Sequence, residues 1–150
     1  MILISHRGNL DGPNKSFENS PSYICEAIDR GFDVEVDLWK TNKLFLGHAE
    51  PQYCIKNDLL LKNSNHIWLH CKNLEALLYC REMKLHYFWH EEDSYAITSK
   101  GFIWAHPNAI NFKNTILVMP EKKYGKLDYR VDSNIAGICT DYPLQYRSKN

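Results

Sequence analysis

Residues 32–39 read FDVEVDLW, in which apolar and acidic side chains alternate strictly from Phe32 to Leu38. A strand turns successive side chains to opposite faces, so Val34, Val36 and Leu38 share one side while Asp33, Glu35 and Asp37 share the other. On that second side Glu35 and Asp37 stand about 6 to 7 Å apart, given a rise of about 3.3 Å per residue, and their charges repel. Such a face has two homes. It is either the solvent side of an edge strand, or it points into an interior where a cation lies between the acids, oxygen ligands favouring Mg2+ or Ca2+.

The rest of the chain says what kind of sheet would hold this strand. Apolar runs begin near residues 2, 32, 66, 86, 101, 115 and 135. Between the first two, Ser20 stands where a helix cap belongs, Pro21 fits the first helical position, and Tyr23, Ile24, Ala27 and Ile28 recur at helical spacing up to Gly31. A second helix is expected from about Asn73 to Met83, with Leu74, Leu77, Leu78 and Arg81 on one face. KLFLGH, at 43–48, is expected to fold back beside the acid-bearing strand as a hairpin. Alternating strands and helices imply a parallel sheet. The connections near 91–100 and 106–114 are too short for a full crossover helix, since a parallel return needs about a dozen residues. The expected fold is therefore α/β, one domain spanning 1–150: a reduced, TIM-barrel-like parallel barrel with several helices trimmed to loops. The polar stretch 121–134 reads as a surface loop.

Charge and composition narrow the function. Lys and Arg together number 18, as do Asp and Glu, so no general field draws in nucleic acid or an anionic bilayer, and an anion must be held locally. No basic cluster with interleaved aromatics supports a nucleic-acid partner. The five cysteines are odd in number and form no CxxC pair, which fits buried thiols in a reducing compartment and a cytoplasmic location. MILI is too short for a signal-peptide core, and no run approaches the roughly 18 apolar residues of a membrane span, so stable membrane insertion is not expected.

Polar residues gather where the apolar runs end. His6 and Arg7 follow the first; Glu35, Asp37 and His48 belong to the second region; His70 and Lys72 end the third; His90 and Glu91 follow the fourth; His106, Glu121 and Asp141 follow the fifth, sixth and last. In parallel α/β folds the carboxyl ends of the strands share one rim, where chemistry sits. Taken singly, His6 and His48 are proton-transfer groups or hydrogen-bonded fillers. Arg7 and Lys72 are phosphate contacts or structural charges. Trp39, Trp68, Trp89 and Trp104 are assigned to core packing. FWHEED, at 88–93, receives no role.

Jointly, the pieces form a pattern: HRG at 6–8, EN plus Ser at 18–20, acid-x-acid at 35–37, GH at 47–48, the strand ending in Lys72, and GICTDYP at 137–143. This pattern resembles the glycerophosphodiester phosphodiesterase family, related to the phosphatidylinositol phospholipase C-like phosphodiesterases. The resemblance implies a TIM barrel and a divalent-metal-dependent hydrolase of lipid metabolism that cleaves a small glycerophosphodiester-like molecule. His6 and His48 would be the acid–base pair, Glu35 and Asp37 metal ligands, and Arg7 and Lys72 phosphate contacts, with Glu18 and Asn19 supporting the site from beside the first loop. Where the family carries a third metal-binding carboxylate, this chain has His70. Its nitrogen donor adds Mn2+ or Zn2+ to the expected ions, Mg2+ and Ca2+. Ala49 stands where the family has an aspartate, and the chain is shorter than a full barrel. Two rival readings follow: a catalytically degenerate barrel that only holds phosphate and metal, and a phospholipase-like enzyme on lipid headgroups. Against the second stands the lack of an amphipathic basic helix. A trimmed barrel leaves apolar strand faces open, which a homodimer would cover.

Overall fold

The computed structural model describes residues 1–106, 112–124 and 134–148. In chain order the elements are β1 (Ile2–His6), α1 (Pro21–Asp29), β2 (Asp33–Lys40), β3 (Leu44–Leu46), β4 (Tyr53–Ile55), α2 (Asn57–Lys62), β5 (Ile67–Cys71), α3 (Leu74–Glu82), β6 (Tyr87–Phe88), β7 (Tyr95–Ile97), β8 (Ile103–Ala105), β9 (Thr115–Val118), α4 (Pro120–Tyr124), β10 (Gly137–Thr140) and α5 (Pro143–Ser148). The strands form one sheet. Its parallel part has the neighbour order β6-β5-β2-β1-β10-β9-β8. Two antiparallel additions complete it: β3 and β4 continue from the end of β2, and β7 lies beside β8. The result, among the described residues, is a mixed α/β fold with a curled, half-barrel sheet and five short helices.

The expected α/β class with parallel strand pairs is present, as a half-barrel, and so is the hairpin over KLFLGH. Other details differ. The connection at 91–100 contains β7 rather than a bare loop. Among the described residues no ladder joins β6 to β7 or β8; the seam is crossed by the Ser99 N–H donating to the Tyr87 carbonyl at 2.8 Å and the Tyr87 N–H donating to Ser99 Oγ at 3.0 Å. Most of 106–114 and of 121–134 lies outside the described residues, although α4 shows that the second stretch begins as a helix. Of the cysteines, Cys71, Cys80 and Cys139 are buried as expected, but Cys54 is exposed and Cys25 half-buried; all five are free thiols. No helix among the described residues is long and apolar enough to cross a membrane.

The alternation in β2 separates two packing layers. Val34, Val36 and Leu38 are fully buried against Ile24 and Ala27 of α1 and Ala76 and Cys80 of α3. Each such side chain contributes roughly 1.5 to 3 kcal/mol by leaving water. The opposite face of the sheet has its own core, where Ile4, Trp68, Phe88, Trp104, Ile116 and Cys139 meet. Trp68 and Trp104 therefore pack as expected, while Trp89 is 36% exposed.

Helix α1 begins with Pro21 as read, yet Ser20 makes no side-chain cap hydrogen bond. In α3 the buried residues are Ala76 and Cys80, whereas Leu74 and Leu78 are 58% and 45% exposed, so the leucine face is not the packed one. Asn73 explains this. Its side chain accepts from the Lys40 N–H at 3.0 Å and donates to the Lys40 carbonyl at 2.7 Å, and it also caps α3 by accepting from the Ala76 N–H. The helix entry is thus pinned to β2, and that rotation places the small side chains against the sheet.

His86, 3% exposed, lies with its ring 4.0 Å from that of Trp68 and its Nε2 2.9 Å from Thr98 Oγ1. Burial, then the charge of Lys100, pushes its pKa down to about 4. The unfolded chain therefore binds a proton below about pH 6.5 that the folded chain refuses until about pH 4, and stability falls as pH falls through that window. His86→Gln should shrink the loss of unfolding free energy between pH 7 and pH 5 by on the order of 1 kcal/mol, read by urea denaturation. An unchanged difference would assign that loss to other groups.

Candidate functional site

β2 has β5 along one edge and β1 followed by β3 along the other, and the curl of the sheet turns Glu35 and Asp37 inward. Glu35 is 3% exposed and Asp37 0%. Parallel register sets His6 beside Glu35 and His70 beside Asp37, which puts all four on the sheet's inner face at its carboxyl end. A period of two governs this rim: Ile4, Trp68, Phe88 and Trp104 fill the inner core, and two residues beyond each comes His6, His70, His90 or His106.

Asp37 is the most heavily contacted of these groups. Its Oδ1 lies 3.0 Å from His70 Nδ1 and 3.7 Å from Lys72 Nζ. Its Oδ2 accepts from Asn19 Nδ2 at 2.9 Å and lies 2.9 Å from Arg7 Nε and 3.4 Å from His48 Nδ1. The Arg7 approach is an ion pair in which Nε–H is not aimed along the contact, since that atom makes no hydrogen bond. Burial alone would raise the Asp37 pKa; the imidazoles of His48 and His70 and the Arg7 charge outweigh it and hold the carboxyl well below its usual range. Glu35 behaves oppositely, pushed up by burial and by Asp37. Its Oε2 is buried without a hydrogen-bond partner.

Local backbone explains how the polar groups arrive. Arg7 adopts φ +55 at the end of β1, and Gly8 follows at φ +89, where a Cβ would lie 2.9 Å from Tyr23 Cδ1 and 3.1 Å from the Tyr23 backbone. That bend swings Arg7 over the acids, where it donates to Glu18 Oε2 at 3.1 Å and to His48 Nδ1 at 2.7 Å. Because a guanidinium only donates, His48 Nδ1 accepts from it and the proton of neutral His48 sits on Nε2. One N–H on each Arg7 Nη is left for a ligand. His48 itself is brought in by the hairpin. Gly47 donates its N–H to the Asp37 carbonyl at 3.2 Å, and a Cβ there would collide with the Glu50 carbonyl oxygen.

His6 has a partner that the sequence reading left without a role. Its Nδ1 lies 2.7 Å from Asp141 Oδ1, which leaves Nε2 facing the interior, 3.9 Å from Glu35 Oε2. Burial opposes a charge on His6, yet Asp141 and Glu35 together raise its pKa above the ordinary value. Asp141 is in turn held by Asn9 Nδ2 at 2.8 Å and by Glu121, which accepts the Asp141 N–H at 3.1 Å. Asn9 also donates to Glu18 Oε1 at 3.1 Å, tying the two acids on either side of the first loop together. His6, Arg7, Glu35, His48 and His70 line one cavity of about 330 Å³ together with His90, Trp104, His106 and Lys122. Lys72 lies beside Asp37, and Glu18 and Asn19 brace the loop, so every residue read from the sequence belongs to this region. His90, His106 and Asp141, expected at the rim without an assigned role, join it, and Asn9 and Lys122 are additions. For the histidines a signal existed in the two-residue step from core aromatic to rim imidazole.

Glu35, Asp37 and His70 place one ligand atom each within 4.8 Å of one another, a buried cluster able to hold a metal ion. The unpartnered Glu35 Oε2 fits that use, because a buried carboxylate oxygen without donor or cation is costly.

Asn19, at φ +64, both donates to Asp37 Oδ2 and accepts the Asp37 N–H at 2.9 Å. Asn19→Ala should cost about 3 kcal/mol of stability, combining two lost buried hydrogen bonds with a left-handed backbone. Asn19→Gly, which keeps the backbone relaxed, should cost about 1 kcal/mol less by urea denaturation. Equal losses would remove the backbone part of this account. No family model, curated protein or solved structure matches the chain, so its chemistry is read from the geometry of these side chains.

Proposed function

We propose that the protein is a metal-assisted phosphodiester hydrolase acting on a small glycerophosphodiester-like molecule, as the family its motifs resemble does. The observation that carries the reading is His6, whose Nδ1 is occupied by Asp141 while Nε2 looks into a cavity shared with His48, Glu35 and Arg7. A nitrogen so oriented serves as a general base. The curled sheet with its rim of polar residues agrees with a reduced form of the family's barrel.

In this mechanism His6 Nε2 takes the proton of the attacking hydroxyl, from water or from the substrate's neighbouring alcohol, as its oxygen bonds to phosphorus. The bond from phosphorus to the leaving alcohol breaks, and His48, charged for this step with its Nδ1–H toward Asp37 Oδ2, gives that oxygen its Nε2 proton. Asp141 stabilises the imidazolium formed on His6 without itself taking the proton. The free N–H groups of Arg7 and the Lys72 ammonium meet the non-bridging oxygens, where negative charge builds. A divalent cation held by Glu35, Asp37 and His70 supplies Lewis-acid stabilisation of the same charge when bound.

Hydrolysis of bis(p-nitrophenyl) phosphate and glycerophosphocholine, with divalent ions added to chelator-stripped protein, tests the proposal. His6→Ala and His48→Ala should each lower turnover about 10² to 10⁴-fold while the unfolding midpoint barely moves. Asp141→Asn should also slow turnover, through loss of the oriented imidazole rather than through KM. Full activity in either histidine variant would end the acid–base assignment. A wild-type protein silent with every ion and both substrates would leave a barrel that binds but does not cleave.

A further inference from the structure

His70 has a hydrogen-bonding conflict that points to the ion it is built for. Nδ1 lies 3.0 Å from Asp37 Oδ1 and 3.8 Å from Glu35 Oε1, while Nε2 lies 3.2 Å from the His90 carbonyl oxygen. Both ring nitrogens face acceptors, and a neutral imidazole carries one proton. Both acceptors offer only lone pairs: without a cation the proton belongs on Nδ1, donated to Asp37, and with one among the acids it belongs on Nε2, donated to the His90 carbonyl. This is the outer contact that orients metal-binding histidines. Nδ1 then presents a lone pair to two carboxylates, one of which has an oxygen with no hydrogen-bond partner although its residue is 97% buried, given an exposure of 3%. A cation among the three resolves all of it.

The ring is also backed on one face. Phe88 and His90 stack on the same side of it, at 5.1 Å and 4.5 Å and within 4° of parallel, and lie 5.9 Å from each other, which favours the orientation that points Nδ1 at the acids. Arg7 and Lys72 offset part of the negative charge of Asp37, which weakens the pull on a hard ion. Two carboxylates and one fixed nitrogen suit the borderline ions, whose bonds to imidazole strengthen along the first transition row. We propose that His70 selects a borderline transition-type ion, Mn2+ or Zn2+, over Mg2+ and Ca2+. The proposal rests on the metal-assisted reading above and sharpens it.

The test needs no substrate. Mn2+ added to the chelator-stripped full chain should give ¹⁴N coupling from one imidazole in pulsed electron paramagnetic resonance, retained in His6→Ala and lost in His70→Asp. By calorimetry, Zn2+ and Mn2+ should bind at least about tenfold more tightly than Mg2+ or Ca2+, and His70→Asp should reverse that order. If His70→Asp fails to fold, the wild-type coupling and the four wild-type affinities still decide. Mn2+ bound without nitrogen coupling, Mg2+ or Ca2+ bound as tightly as Zn2+, or no ion bound at all would overturn the proposal; the last would leave His70 Nδ1–H as a hydrogen-bond donor to Asp37. The two readings fail separately. Nitrogen-bound Mn2+ without turnover keeps this inference and ends the hydrolase, while Mg2+-dependent turnover without coupling does the reverse.

Discussion

A carboxylate taken fully out of water is tolerated only where charges and donors replace the solvent, and Asp37 sets that demand for the whole site. Arg7 meets it from the end of β1, Asn19 from the loop before α1, His48 from beyond the β3 hairpin, and His70 and Lys72 from the end and exit of β5. None of these groups reaches Asp37 unless β1, β2 and β5 are already neighbours. Assembly of the sheet and assembly of the site are therefore one event, and the acid that most endangers the fold when alone is the point at which its segments join.

The same strand supplies the cohesion that this demand requires. One face of β2 carries Val34, Val36 and Leu38 into the layer beneath α1 and α3, and the other carries the acids toward the rim. Inner-face residues change character along the strand direction, from the cluster around Trp68, Phe88 and Trp104 to the imidazoles two residues further on. Dry aromatic packing below holds the polar layer above at fixed spacing, so the histidines meet ligands or protons with little rearrangement.

Local patterns were legible in the sequence because a strand's period of two and a helix's cap and breaker residues act within a few positions. The acid pair, the HRG bend, the α1 start at Pro21 and the hairpin before His48 are of this kind. What escaped depends on distant partners. The packed face of α3 follows from Asn73 anchoring to Lys40, so the leucine spacing pointed to the wrong side. β4 and β7 are three residues each, too short to show a period, and they exist through pairing with β3 and β8. The contact between His6 and Asp141 spans 135 positions, and nothing near either residue announces the other.

By itself the sequence determined which residues carry charge, which face of each long strand they occupy, and that they stand at strand ends, since these follow from side-chain chemistry and backbone periodicity. Tertiary structure decided that Glu35 and Asp37 are interior rather than solvent-facing, because the sheet curls around that face and Arg7 and His70 cover it. It also decided which nitrogen of His6 is free and which of His70 faces the acids, through Asp141 and the His90 carbonyl. Those assignments are matters of distance and direction between atoms far apart along the chain, and only the folded sheet sets them.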